Sequence, residues 1–175
     1  VAPSEDFLDR MRTAVLDAAL TPLLPRNPGR WMCSDGRLAY HDSADWRGSR
    51  AVLSGPAGGV VSTAAHARRS GAQCGFIGLD MGGTSTDLCR VPPSHRPAMS
   101  HRLMVDGLCL ATAAVRVDTI AAGGGSRLGI RGGVFTVGPG SAGADPGPVC
   151  YGRGGPLALT DAEAVLGRLP DFPSV

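Results

Sequence analysis

The densest chemistry in the sequence lies in one short run, Asp80-Met81-Gly82-Gly83-Thr84-Ser85-Thr86-Asp87. Glycine has no Cβ, so Gly82 and Gly83 can adopt positive φ and let an anion approach the backbone closely. Consecutive N–H groups in such a turn converge on an anionic oxygen, and Thr84, Ser85 and Thr86 add hydroxyl donors. Asp80 ends an apolar run, where its carboxylate can hold a hydrated Mg²⁺ beside a triphosphate. The pattern reads as a phosphate loop; a hairpin turn that merely favours small residues is the alternative. It is not a Walker loop, which needs a lysine and a following helix. Every basic residue is an arginine, so Schiff-base chemistry is excluded within this chain as well.

Two other glycine clusters, Ser54–Gly59 and Gly123–Ser126, could help to enclose a ligand. The first, SGPAGG, reads either as a strand-to-helix turn that binds an anion or as plain structure. The second, Gly123-Gly124-Gly125-Ser126, reads alone as a linker at least as readily as a site. His41, His66, His95 and His101 are scattered and form no sequence cluster. Cys150 reads as a packed thiol in a loop, with Arg153 nearby as a possible anion contact. Asp145 and Asp161 suit turn capping or metal coordination, with a turn favoured for Asp145.

These residues need elements to hold them. Residues 4–20 have apolar positions at helical spacing behind Ser4, a good N-cap. Arg30 to Tyr40 reads as strand, turn, strand around Ser34-Asp35-Gly36, and 41–50 as polar loop. A brief apolar run, Ala51 to Leu53, precedes SGPAGG, and a helix is expected over Val60 to Arg69, ending at Gly71. Cys74 to Leu79 reads as a buried strand and Leu88 to Val91 as its return, so the phosphate loop sits at the tip of a hairpin. Strands are also expected within Ser100–Val117 and over Gly133–Val137. Gly138 to Gly155 reads as loop, and Thr160 to Leu166 as a short capped helix.

With 26 Gly and 14 Pro in 175 residues, the chain approaches low-complexity composition. Its 43% hydrophobic content argues instead for a compact, loop-rich globular domain. The formal net charge is +2 and no run of like charge could track a nucleic acid backbone. The longest uncharged run, Ala51 to Ala67, is broken by glycine and falls short of the ~20 apolar residues of a membrane span. Five cysteines without a C-x-x-C pair exclude a zinc clip or disulfide framework and suit reduced thiols in the cytoplasm. The chain begins at Val1 with no signal pattern, and reads as an internal part of something longer.

In order along the chain, SGPAGGVV, IGLDMGGTSTD, TIAAGGGS, VGPGSAGADPGPVCYGRGG and TDAEAVLGRL resemble the hydantoinase A/oxoprolinase family over about residues 31–175. The residues Trp46 to Arg50, the GGGSRL run and the ending LPDFPSV look most like its 5-oxoprolinase branch. The resemblance implies an α/β fold of the actin-like ATPase (ribonuclease H-like) type, a mixed sheet with flanking helices. It divides the chain into an N-terminal helix and linker part, 1–50, and a second phosphate-loop subdomain, 51–175. It implies ATP and Mg²⁺ as cofactors and a small cyclic amide as substrate. Asp80 and Asp87 then hold Mg²⁺ or orient water as catalytic residues, with Asp80 the metal ligand. Gly82, Gly83, Thr84 and Ser85 hold phosphate oxygens, joined in cofactor binding by Gly123, Gly124, Gly125 and Ser126. Implied partners are an N-terminal lobe carrying a first DxGGTFTD-like loop and a hydantoinase B-type subunit or fused domain. The sequence departs from the family pattern at Arg116, Gly140 and Glu163. The implied activity is ATP-dependent opening of 5-oxoproline or a related lactam or hydantoin, part of glutathione metabolism. The alternatives are a ketone carboxylase subunit or an inactive nucleotide-binding module.

Overall fold

The computed structural model describes residues 3–24, 29–40, 42–43 and 46–169. His41 and the last residues of LPDFPSV lie outside them. In chain order the elements are α1 (Pro3–Leu20), β1 (Arg30–Met32), β2 (Leu38–Tyr40), a 3₁₀ turn (Gly48–Ala51), α2 (Ser54–Ser70), β3 (Phe76–Met81) and β4 (Thr86–Val91). There follow β5 (Met99–Ser100), β6 (Leu103–Val105), β7 (Leu108–Leu110), β8 (Ala114–Val115), β9 (Asp118–Ile120), β10 (Ser126–Arg131), β11 (Val134–Ser141), a second 3₁₀ turn (Val149–Tyr151) and α3 (Leu159–Val165). The α/β class is as expected. The strands, however, form several small ladders rather than one continuous mixed sheet, and each pair with a defined register is antiparallel. No helix among the described residues is long and apolar enough to cross a membrane.

The chain forms two compact units, residues 1–78 with 89–117, and residues 79–88 with 118–175. This division differs from the expected break after residue 50, because the β3–β4 hairpin leaves the first unit and returns to it. A four-residue connection, 82–85, joins hydrogen-bonded neighbours in a sheet of order β3-β4-β9, and only antiparallel neighbours can be joined so tightly.

In the first unit, Ala57, Val60, Ala64 and Ala67 recur along one face of α2 and bury themselves with Cys89, Val91 and Val115. Small side chains bring the helix close to its neighbours. At Gly78 a Cβ would lie 2.7 Å from Cys89 Sγ, so only glycine fits there. Leu103, Leu110 and Ala114 form a second cluster, with Leu16, Val52, Leu53 and Val105 packed against it. The β6–β7 hairpin turns through Asp106 and Gly107, both at positive φ (47° and 78°), the chemistry of a tight two-residue turn.

Helix α2 corrects one expectation. SGPAGG is not a loop; it forms the opening turns of the helix, which begins at Ser54 rather than Val60. Ala57 N–H already donates to Leu53 O at 3.0 Å. Pro56 is tolerated because an amide in the first turn has no intrahelical acceptor to lose. Gly71, at φ 66°, terminates the helix in the left-handed conformation.

The second unit buries little apolar surface. β9 pairs antiparallel with β4 through Thr86↔Ile120, Asp87↔Thr119 and Leu88↔Asp118. The β10–β11 ladder carries a register shift between Ser126 and Leu128, and β11 runs on to Ser141, past the expected end at Val137.

Candidate phosphate-binding site

The 82–85 connection belongs to the second unit. Gly82 N–H donates to Ser85 O at 2.9 Å and closes the turn. Neither Gly82 nor Gly83 has a positive φ, which corrects the first reason given for glycine at these positions. Thr86 is buried and donates its hydroxyl to Ala122 O at 2.5 Å, so it anchors the strand and does not face a ligand. Asp87 is half-buried and accepts from Thr119 Oγ1 at 2.6 Å across the β4–β9 ladder. Asp80 is exposed on β3, and its carboxylate has no hydrogen bond or ion pair among the described residues.

The Gly123–Ser126 segment lies behind this loop. Gly124 N–H donates to Gly82 O at 2.9 Å, and Gly125 N–H donates to Gly83 O at 2.6 Å. Gly123 N–H donates to Ser126 Oγ at 3.0 Å, and Gly125 O accepts from Ala142 N–H at 2.7 Å. The amides expected to meet a cofactor are therefore engaged, two of them directly with the phosphate loop. Tight approach explains the glycines. A Cβ on Gly123 would sit 2.6 Å from Gly82 O and 2.7 Å from Gly83 O, and one on Gly125 would sit 2.8 Å from Gly83 O.

This brace has a directional effect. The peptides 82–83 and 83–84 are trans, the cis bonds among the described residues being at Pro139 and Pro146. In a trans peptide the C=O and the following N–H point in opposite directions. Tying Gly82 O and Gly83 O to the brace therefore turns the N–H groups of Gly83 and Thr84 away from it. Among the described residues nothing accepts from the amides of Gly83, Thr84 or Ser85, nor from the hydroxyls of Thr84 or Ser85. The tip of the hairpin thus presents three amides and two hydroxyls, with the Asp80 carboxylate two residues before Gly82.

Asp161, unassigned between metal and cap by its sequence, is a structural acceptor. Only 6% exposed, it takes hydrogen bonds from Val149 N–H (3.2 Å), Cys150 N–H (2.7 Å) and Ala158 N–H (2.7 Å). Burial alone would raise its pKa. Hydrogen bonds from the Cys150 thiol and from the amides of Cys150, Ala158 and Val149 outweigh that and hold the carboxyl below its ordinary value. Burial and the same contact with Asp161 hold the Cys150 thiol above its ordinary value, which disfavours the nucleophilic thiolate. Asp145 and Arg153 are exposed.

The described histidines all lie in the first unit. His95 Nε2 is 3.1 Å from Ala72 O, and His66 meets Phe76 edge-on. Among the described residues no group of three or more His, Cys, Asp or Glu could hold a metal ion by itself.

The family model described as hydantoinase/oxoprolinase matches residues 10–174. The chain belongs to the hydantoinase/oxoprolinase family. Its relatives include a 5-oxoprolinase of Pestalotiopsis fici, 42% identical over 99% of this chain, and 5-oxoprolinase 1 of Arabidopsis thaliana, 41% identical over the whole chain. The chain spans only 14% and 15% of their lengths. Among solved structures, nucleotide-free acetone carboxylase superposes with a TM-score of 0.68 at 26% identity, covering 83% of this chain and 20% of that one. The ATP-dependent caprolactamase of Pseudomonas jessenii superposes with a TM-score of 0.60 at 33% identity, covering 93% and 23%. The hydantoinase/oxoprolinase match starts at residue 10, within α1 and earlier than the motifs alone indicate.

Proposed function

We propose that this chain forms one wall of the ATP site in a cyclic-amide hydrolase of the 5-oxoprolinase type. The substrate is 5-oxoproline or a related lactam or hydantoin. The observation that carries this reading is the pair of amides, Gly83 and Thr84, turned outward by the brace on their carbonyls. Donors oriented before a ligand arrives stabilise developing negative charge without reorganising. Ser85 N–H and the hydroxyls of Thr84 and Ser85 complete the phosphate contacts, and the empty space where a Cβ on Gly83 would go leaves room for the phosphate oxygens.

A lone exposed carboxylate suits Mg²⁺, which keeps most of its waters and takes one or two carboxylates beside phosphate oxygens. Asp80 is the residue that fits that role, and the metal would supply charge neutralisation during phosphoryl transfer. Asp87 keeps Oδ1 on Thr119 and its second oxygen for a water. Bound ATP would supply the phosphoryl group that makes the amide oxygen a phosphate leaving group, with ADP departing; water adding at the carbonyl carbon would then displace phosphate as the ring C–N bond breaks. The facing phosphate contacts belong to an N-terminal lobe of a longer polypeptide, and a hydantoinase B-type subunit or domain is the further partner. A 5-oxoproline substrate would place the enzyme in glutathione metabolism in the cytoplasm.

A second reading, ATP-dependent ketone carboxylation, is favoured by the higher TM-score with acetone carboxylase. Both readings use the loop in the same way. Assay of a full-length polypeptide carrying this segment separates them, with 5-oxoproline in one arm and acetone plus bicarbonate in the other. Asp80→Asn should lower substrate-dependent ATP hydrolysis by ~10²–10³-fold with circular dichroism unchanged. Near-normal turnover would remove Asp80 from the metal role. Steady ATP hydrolysis by the 175-residue chain alone would show that no facing lobe is required.

A further inference from the structure

We infer that Thr160, at the start of α3, is a positioning residue for the 82–85 loop, acting through Gly124. Both its N–H and its Oγ1 donate to Gly124 O, each at 2.8 Å, and Gly124 N–H donates to Gly82 O at 2.9 Å. The arrangement is a relay of backbone groups: Thr160 fixes the carbonyl of Gly124 and with it the peptide that carries Gly125 N–H. That N–H holds the carbonyl of Gly83 at 2.6 Å, and the trans peptide 83–84 then fixes the N–H of Thr84, with Gly124 N–H holding the carbonyl of Gly82 beside it. The fit is close, since a Cβ on Gly124 would lie 2.7 Å from Thr160 Oγ1.

Thr160 itself is held from the next residue. Asp161 accepts the N–H of Ala158, the residue that caps α3, together with those of Val149 and Cys150. That carboxylate pins the helix start to the 149–150 turn, so Thr160 cannot follow Gly124 if Gly124 drifts. Thr160 touches no phosphate in this scheme; its effect on a ligand passes entirely through backbone hydrogen bonds. The role rests on reading the 82–85 loop as a phosphate site.

The test uses the 175-residue chain, with amide resonances and hydrogen exchange read by NMR and tripolyphosphate as the probe ligand. Thr160→Val removes the hydroxyl and keeps the branched shape and the N–H. Exchange at Gly124 and Gly125 should quicken about 5-fold, as for loss of one hydrogen bond. The Gly83 and Thr84 resonances should move, and the dissociation constant for tripolyphosphate should rise by a similar factor. Thr160→Ser should restore all three readouts. Resonances of Ala162–Val165 and of α2 should stay in place, which loosening of α3 as a whole would not permit.

If Gly124, Gly125, Gly83 and Thr84 are unmoved in Thr160→Val, the inference is overturned. If they move while the unaltered chain shows no tripolyphosphate binding, the relay stands and the loop is not a phosphate site by itself. Should Thr160→Val not fold, Gly124→Ala reports from the other side. It should displace the same resonances, and adding Thr160→Ala should return them; a double variant no better than Gly124→Ala would overturn the relay.

Discussion

Helix α2 and the 123–126 segment are both crowded with glycine, yet they use it in opposite ways. Around Gly55 and Gly58 there is open space where a Cβ would go, whereas at Gly123 the same atom would meet two carbonyl oxygens of the phosphate loop. The contrast extends to the units that contain them. The first is held by side chains, Val60 and its alanine neighbours against Cys89, Val91 and Val115. The second is held by main-chain groups and one buried carboxylate. Side-chain packing tolerates exchange of one apolar group for another of similar size. Backbone bracing has no such slack, because the interacting atoms are common to all residues and only the missing Cβ makes room.

The largest expected effect is at the brace. Gly123→Ala should cost about 3 kcal/mol, the upper range for overpacking against groups that cannot move aside, and should abolish binding of tripolyphosphate. Chemical denaturation and a binding titration check it. An unchanged denaturation midpoint would break the comparison at its centre.

Next comes Asp161→Asn. It places an NH₂ group among three N–H donors and removes the charge they stabilise, a loss of about 2–3 kcal/mol. The pH dependence has a definite sign. The folded-state pKa of Asp161 is depressed, so its contribution is present above the ordinary aspartate value and fades as pH falls through the lower folded one. Acid titration followed by NMR should therefore show the resonances of Val149, Cys150 and Ala158 moving as pH falls through that range, while those of the apolar α2 cluster stay in place. Asp161→Asn should remove that difference.

Val60→Ala sharpens the other side of the comparison. Val60 is 2% exposed in the α2 cluster, and its truncation should cost about 2 kcal/mol with no shift at Gly83–Ser85. The smallest effect has the opposite sign. Gly58→Ala, inside a helix and with nothing near its Cβ, should stabilise by about 0.5–1 kcal/mol. Thermal melting reads both.

Much of this was legible in the sequence where local chemistry decides structure. The DMGGTSTD hairpin, the helix over residues 4–20, the turn at Gly36 and the short helix near Thr160 all follow from apolar spacing and turn residues. The start of α2 was not legible, because glycine and proline break a helix in its interior but are harmless in its first turn. The brace was hidden for a different reason. Gly124 N–H and Gly82 O are groups that nearly every residue carries, so their partnership has no signature in residue type. What Gly123-Gly124-Gly125 does show is that something must come close; whether a ligand or another strand of the chain does so is a three-dimensional fact. Asp161 is similar: its partners Val149 and Cys150 are set by the path of the intervening loop, not by spacing along a helix.

The outward amides of Gly83 and Thr84 also bear on how this surface can evolve. Recognition through main-chain hydrogens does not depend on which side chain the residue bears, so the amide part of the contact survives an exchange of side chain, even at Thr84, where a hydroxyl adds to it. The positions that cannot vary stand one layer behind, at Gly123 and Gly125, which would never touch the nucleotide. A survey of tolerated substitutions would therefore find its most rigid requirements away from the ligand, and a search for binding residues based on intolerance alone would point to the scaffold.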